Sequence, residues 1–232
     1  IQRKDGAYLP VADCVTAALL NRHFVGSMTI ALDVISKEGL VKAAVIDLDG
    51  AACDKGPEHV RALKVLYRAL SQDLNLPQPL LSISGKKGFG IWLSFSSPLP
   101  VQQVQTFLRA LHKKYLSNIL PSEMDLRPDT SEYTNSGKAV IKLPPCLHQV
   151  NQKWSAFISI ETIDSFITTP WLEQKPDLEQ QATLLASAVG ITPQQFSHAL
   201  ERLTLELKSH GINLNEEKKL DVPNFAALPD NL

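Results

Sequence analysis

Asp47 and Asp49 stand two residues apart at the end of Val41–Asp49, VKAAVIDLD. In a strand, side chains two apart share a face and lie roughly 7 Å apart. Val41, Ala43, Val45, Asp47 and Asp49 therefore fall on one face, and Lys42, Ala44, Ile46 and Leu48 on the other. Apart from Lys42 the run is apolar up to Asp47, which predicts a buried strand with two carboxylates at its exit. Hard divalent cations take oxygen ligands. Two such ions about 4 Å apart, bridged by carboxylates, are the apparatus of in-line nucleotidyl transfer. Taken alone, the segment is better explained as a strand ending in a plain acidic turn, Asp-Leu-Asp-Gly.

A second group is Ser82-Ile83-Ser84-Gly85-Lys86-Lys87-Gly88-Phe89. Gly85 and Gly88 let backbone amides approach an anion, Lys86 and Lys87 add charge, and Ser84 offers a hydroxyl, a set that suits a triphosphate. Its plainer explanation, favoured when it is taken alone, is a hairpin tip solvated by lysines. It is not a P-loop, because no Walker spacing follows and the next element reads as a strand. Asp125, in SEMDLRPD, is a third carboxylate that would complete a metal site if the fold brought it to Asp47 and Asp49, although loop acids are usually only solvated. His148, in KLPPCLHQVNQKW, stands near Lys142, Lys153 and Trp154 and could contact phosphate, or be an ordinary loop histidine. His112-Lys113-Lys114 closes a predicted helix, where a cationic turn is what the helix dipole favours.

The elements that must position these residues alternate between strand and helix periods. Residues 1–10 read as a strand end with a turn at Asp5-Gly6, and Val11–Asn21 as a helix. Ser27–Val34 is strand-like and is expected to pair with the acidic strand across the turn at Lys37-Glu38-Gly39. Residues 57–74 form a helical stripe of Val60, Leu63, Leu66, Tyr67, Leu70 and Leu74 that starts at Pro57. Leu80–Ser84 and Phe89–Phe95 read as a strand pair around the lysine turn. Val104, Phe107, Leu108, Leu111 and Tyr115 share one helical face. Residues 117–137 read as irregular, and Lys138–Leu143 and Trp154–Ile160 as a further strand pair. A helix is expected near 177–189. Another begins at the Thr192-Pro193 cap, carries Phe196, Leu200, Leu203 and Leu207, and is closed by Gly211. The tail from 212 is polar.

Composition narrows the class. The chain has 232 residues, 44% of them hydrophobic, with a net charge of −1. This allows a sizeable core and excludes a globally basic nucleic-acid coat, but not a local basic groove. Cys14, Cys53 and Cys146 are scattered, which argues against a disulfide framework or a zinc site and fits a reducing cytoplasm. No apolar run spans a membrane and no signal peptide is visible. The absence of an initial methionine before Ile1 suggests a piece of a longer protein.

The order of these signals resembles the archaeo-eukaryotic primase superfamily, and most closely the primase-polymerase branch of TOTE conflict systems and CRISPR loci. The resemblance begins at NRHFVGSMTIALDV, similar to an H-x-x-G followed by a strand. It runs through IDLDG, SGKKGFGIW and the acid-x-x-P element at Met124–Pro128. It ends in KLPPCLHQVNQKWSAFI, and covers about residues 8–160. The fold it implies is α+β. An RRM-like primase palm would carry the acids, with an N-terminal α/β module and a C-terminal helical segment. A catalytic core over 1–163 would be followed by helices and tail over 164–232.

Position by position, the resemblance makes Asp47, Asp49 and Asp125 the catalytic, metal-binding acids, with Mg²⁺ or Mn²⁺ as cofactor. It places Ser84, Gly85, Lys86 and Lys87 near the incoming triphosphate. Lys142 and His148 would line the nucleotide pocket. The implied activity is a DNA-dependent primase-polymerase acting on single-stranded DNA with nucleoside triphosphates, in replication or defence. The C-terminal helices are open between a template-holding module and a linker to a helicase on the same or a neighbouring chain. Two departures stand out. Gly90 replaces a histidine expected two residues before Trp92, and Pro145-Cys146 replaces a Leu-Gly. Losing a charge-assisted hydrogen bond costs about 1.5–3 kcal/mol. Gly90 is thus open to several readings: an engineered knockout, compensation by Lys87, His23 or His148, or a weakened, primase-like domain that only binds nucleic acid. A metal-dependent nuclease is the third functional class, disfavoured by the basic turn.

Overall fold

The computed structural model describes residues 1, 15–49, 55–129, 140–212 and 214. The turn expected at Asp5-Gly6, Cys14, Cys53 and the tail from 215 lie outside them. The described elements are α1 (Ala17–Phe24), β1 (Ala31–Asp33), β2 (Leu40–Asp49), α2 (Gly56–Arg68), β3 (Leu80–Ile83), β4 (Gly88–Pro100) and α3 (Val101–Tyr115). They continue with β5 (Met124–Arg127), β6 (Val140–Lys142), β7 (Cys146–His148), β8 (Lys153–Ile158), α4 (Leu178–Ala186) and α5 (Pro193–Ser209). The class is α+β, as the sequence predicts.

Six strands form an antiparallel sheet in the order β5-β2-β4-β3-β8-β7. Period-two alternation sorts its faces. On β2, Ala44, Ile46 and Leu48 are buried on the back; on β4, Phe89, Ile91, Leu93 and Phe95 do the same. The apolar stripes of α2 and α3 cover that back face, with Leu63, Leu66, Phe107, Leu108 and Leu111 fully enclosed. Truncating such a residue as Phe107 to alanine costs about 3–5 kcal/mol.

The C-terminal helices join this core. Thr192 and Gln195 form a reciprocal capping box at the start of α5. Phe196 then stacks edge-on against Phe95 at 5.7 Å and tilts against Phe107 at 5.1 Å. Lys114, in the cationic last turn of α3, pairs with Glu206 of α5, so that turn does more than face water. On α4, the buried Gln181 side chain accepts from Phe157 N–H at 2.7 Å and donates to Phe157 C=O at 3.0 Å. It acts as a one-residue substitute for a neighbouring strand on β8.

Three expectations on strand pairing need correction. β1 does not pair with β2; it forms a separate two-stranded sheet with β6, Ala31 opposite Lys142. β8 pairs with β3 and β7 rather than with β6. Within the stretch read as irregular, Met124–Arg127 is an edge strand on β2. Only four residues long, with two apolar and two charged side chains, it carries too little pattern to stand out. Among the described residues no helix is long and apolar enough to cross a membrane.

Candidate active site

Strand register assembles the site. One rung across the front face runs Asp125 on β5, Asp47 on β2, Gly90 on β4 and Ser82 on β3. The next runs Arg127, Val45, Trp92 and Leu80. Asp49 lies opposite Gly88, where the basic turn re-enters the sheet. Strands are spaced about 4.8 Å apart, so the acid strand and the strand launching the basic turn are separated by roughly 10 Å. A cleft of about 130 Å³ opens over these rungs, bordered by Asp47, Asp49, Asp125, Ser84, Lys86 and Lys142. Gly90, Trp92 and Ser82 also border it.

The acids are crowded. Asp47 is pushed up to about 7, first by burial and then by Asp49; Asp125 adds to the effect, while Lys142 and Arg127 oppose it. Asp125 sits opposite Asp47 in register, yet its carboxylate accepts from Arg127 Nη2 at 3.2 Å. Among the described residues, no three acidic, histidine or cysteine side chains are gathered tightly enough to hold an ion as they stand. The donor set nevertheless fits a hard divalent cation. It is all carboxylate oxygen, its central member resists ionisation, and a guanidinium already serves as stand-in cation on Asp125.

The basic turn is organised around its own serine. Ser84 Oγ accepts from the backbone N–H groups of Lys86 at 3.2 Å, Lys87 at 3.1 Å and Gly88 at 2.9 Å. Three amides thus converge on one oxygen. Gly85 turns the chain at φ +75°, and a Cβ there would lie 2.8 Å from Ser155 N. Asn151 Nδ2 donates to Gly85 C=O at 3.2 Å, anchoring the turn to the loop after His148. Lys86 and Lys87 are exposed. Gly85, Lys87 and His148 do not border the cleft itself.

Gly90 is enclosed rather than open. Trp92 Nε1–H donates to Ser82 Oγ at 2.8 Å, and the indole packs edge-on against Phe157 at 5.7 Å. A Cβ on Gly90 would stand 2.6 Å from Ser82 Oγ and 2.9 Å from Trp92 Nε1. The volume that a side chain at 90 would need is filled by this bridge.

The histidines divide. His148 is buried; its Nδ1 accepts from Asn151 N–H at 3.3 Å, which leaves the proton of the neutral ring on Nε2. Burial, then Lys142 and Lys86, lower its pKa to about 4. His23 is fully buried, with Nε2–H donating to Leu143 C=O at 2.8 Å and Nδ1 accepting from Ile30 N–H at 3.0 Å. Both of its ring nitrogens are used, one on Leu143 before Pro144 and one on Ile30 before β1, so it is not available to replace a histidine at 90. Cleft residues without an expected role include Arg127, Trp92 and Ser82. Strand parity with Asp125, Gly90 and Ser84 is the signal that would have found them.

Residues 7–174 match the sequence model of the family described as "TOTE conflict system, Archaeo-Eukaryotic Primase domain". Among solved structures, the polymerase domain from Mycobacterium tuberculosis ligase D in complex with DNA is 14% identical, with a TM-score of 0.43 over 80% of this chain. The chain spans 59% of that structure's length. The AEP domain of the cyanophage S-2L primase-polymerase is 19% identical, with a TM-score of 0.35 over 74% of this chain and 77% of that one. No curated protein matches. With the family model matching most of its length, this chain belongs to the archaeo-eukaryotic primase domains of TOTE conflict systems.

Proposed function

We propose that the cleft carries out metal-assisted nucleotidyl transfer, making primers or extending strands on a single-stranded DNA template. The observation that carries this reading is the placement of the acid strand and the basic turn on one face of one sheet, with only β4 between them. Asp47, Asp49 and Asp125 would hold Mg²⁺ or Mn²⁺, which when bound lowers the pKa of the attacking 3′-hydroxyl and stabilises the leaving pyrophosphate. Ser84, whose Oγ already holds the amides of Lys86, Lys87 and Gly88, keeps its hydroxyl proton for the triphosphate, and the two lysines supply the counter-charge. Lys142 lines the far side of the cleft; His148 lies outside that lining and, neutral at pH 7, offers an Nε2–H donor rather than a charge. Gly90 contributes backbone only. The catalytic core is assigned to 1–163 and a helical segment and tail to 164–232, with α5 bracing the back of the sheet. The template follows a local basic groove, so binding weakens with salt. A helicase partner and a reducing cytoplasm belong to the same reading.

The test is strand synthesis on single-stranded DNA with nucleoside triphosphates and Mn²⁺ or Mg²⁺, with and without primer. Product that disappears in Asp47→Asn/Asp49→Asn establishes a polymerase, and the lane without primer says whether it initiates. A second reading, a silent domain that binds nucleic acid, is favoured by the filled space at Gly90. Retained DNA binding with no product under any metal would select it.

A further inference from the structure

Arg127 is the cation nearest in sequence to the third acid, and it shares a face with Asp125 two residues earlier on β5. Its cross-strand neighbour on β2 is the apolar Val45. The head leans along its own strand instead, Nη2 to Asp125 Oδ2 at 3.2 Å. The Arg127 side chain is only 15% exposed, whereas that of Asp125 is 59% exposed. The guanidinium is therefore seated in the cleft wall, while its carboxylate partner faces water. Ion pairs with one partner so exposed are weak and readily exchanged. Arg127 also borders the same cleft as Lys86 and Lys142, one rung from Gly90, the position that presents no side chain to an anion. A planar guanidinium fork matches phosphate oxygens better than an ammonium does.

We infer that Arg127 is a built-in counter-cation: it holds Asp125 while the acids lack a divalent ion, and moves to the polyphosphate of an incoming nucleotide when Asp125 turns to that ion. Arg127 thereby supplies a phosphate contact that Gly90 cannot. The inference rests on the nucleotidyl-transfer reading and adds a phosphate-binding residue to it.

The role makes opposite demands on two ligands, which a merely structural ion pair does not. Mn²⁺ alone would be titrated into the full chain and followed by electron paramagnetic resonance of the free ion. dATP with Mg²⁺, without template, would be titrated by calorimetry. Arg127→Met should tighten Mn²⁺ binding about three- to tenfold, because a competing positive charge is gone. The same change should weaken dATP binding about tenfold or more, through the lost charge-assisted contact. Arg127→Lys should leave Mn²⁺ binding as in the parent and weaken dATP less than methionine does. It carries the test if the methionine variant fails to fold. Parent-like binding of both ligands in Arg127→Met, or weakening of both, overturns the inference and leaves the proposed function standing. If the parent binds neither Mn²⁺ nor dATP, the proposed function falls and this inference with it.

Discussion

Trp92 donates its indole N–H to Ser82 Oγ directly over the Cα of Gly90, so two neighbouring strands bridge across the third residue's missing side chain. The glycine is therefore not a gap waiting for its histidine. Gly90→His should give no gain in synthesis, because the ring must first displace the bridge. Overpacking of this kind costs about 1–3 kcal/mol. Gly90→Ala should show the same effect in miniature. In the Ser82→Ala background, the alanine at 90 should cost less than in the parent, since the atom 2.6 Å from the new Cβ is gone. Urea denaturation of the four proteins in this cycle measures the coupling; additive costs would refute it.

Asp47 gives an unusual pH dependence. Its folded pKa is about 7, against an ordinary 3.8. Between those values the folded state holds a proton that the unfolded chain has lost. Its contribution to stability is therefore fullest below pH 3.8 and falls as pH rises through 7. In metal-free buffer Asp47→Asn should be more stable than the parent at pH 8 and show no such gain at pH 4. The difference has a ceiling of about 4 kcal/mol, reduced by solvent relaxation at the cleft. Added Mn²⁺ should reverse the order by stabilising the parent alone.

His148 tilts the other way. Its folded pKa of about 4 lies below the ordinary 6.5, so the unfolded chain takes up a proton first as pH falls. Stability from this residue is complete above pH 6.5 and is lost between 6.5 and 4, with a ceiling of about 3 kcal/mol. The two slopes oppose each other over nearly the same window. The parent should look flat between pH 4 and 6.5, His148→Gln should lose stability as pH rises, and Asp47→Asn should gain it. Melting temperatures across that range check all three.

Gln181 is a test of how α4 is held. Its amide satisfies both backbone groups of Phe157 at a buried position. Gln181→Leu keeps the bulk and leaves an N–H and a C=O orphaned, at about 1–3 kcal/mol each. Hydrogen exchange at Phe157 should accelerate in this variant, while that at Val45 on β2 should not.

Much of this site is readable before any coordinates, and the reasons are local. Strand parity over Ala43–Asp49 sets Asp47 and Asp49 on one face, whereas a register shift between Val41 and Ala43 takes Val41 out of the expected alternation and into the core with Ala44, Ile46 and Leu48. The glycines flanking Lys86 and Lys87 mark the turn between β3 and β4. The helices at Pro57, Pro100 and Thr192 announce themselves through stripe and cap. What was not legible is non-local. Asp125 meets Asp47 only because a four-residue edge strand crosses from after α3, and nothing near it in sequence encodes that register. The pairing of β1 with β6 joins residues more than a hundred positions apart. The bridge over Gly90 needs β3 and β4 in a known register before Ser82 and Trp92 can be seen to meet.

β4 presents Gly90 and Trp92 to the cleft and Phe89, Ile91, Leu93 and Phe95 to the helices behind. Cohesion and chemistry thus sit on opposite sides of one ribbon. Most cleft-side exchanges, such as those at Asp49, Lys86 or Arg127, leave the apolar layer that holds the fold untouched. Lineages carrying this domain can therefore retune, specialise or retire its chemistry by single front-face substitutions, without having to rebuild the fold each time.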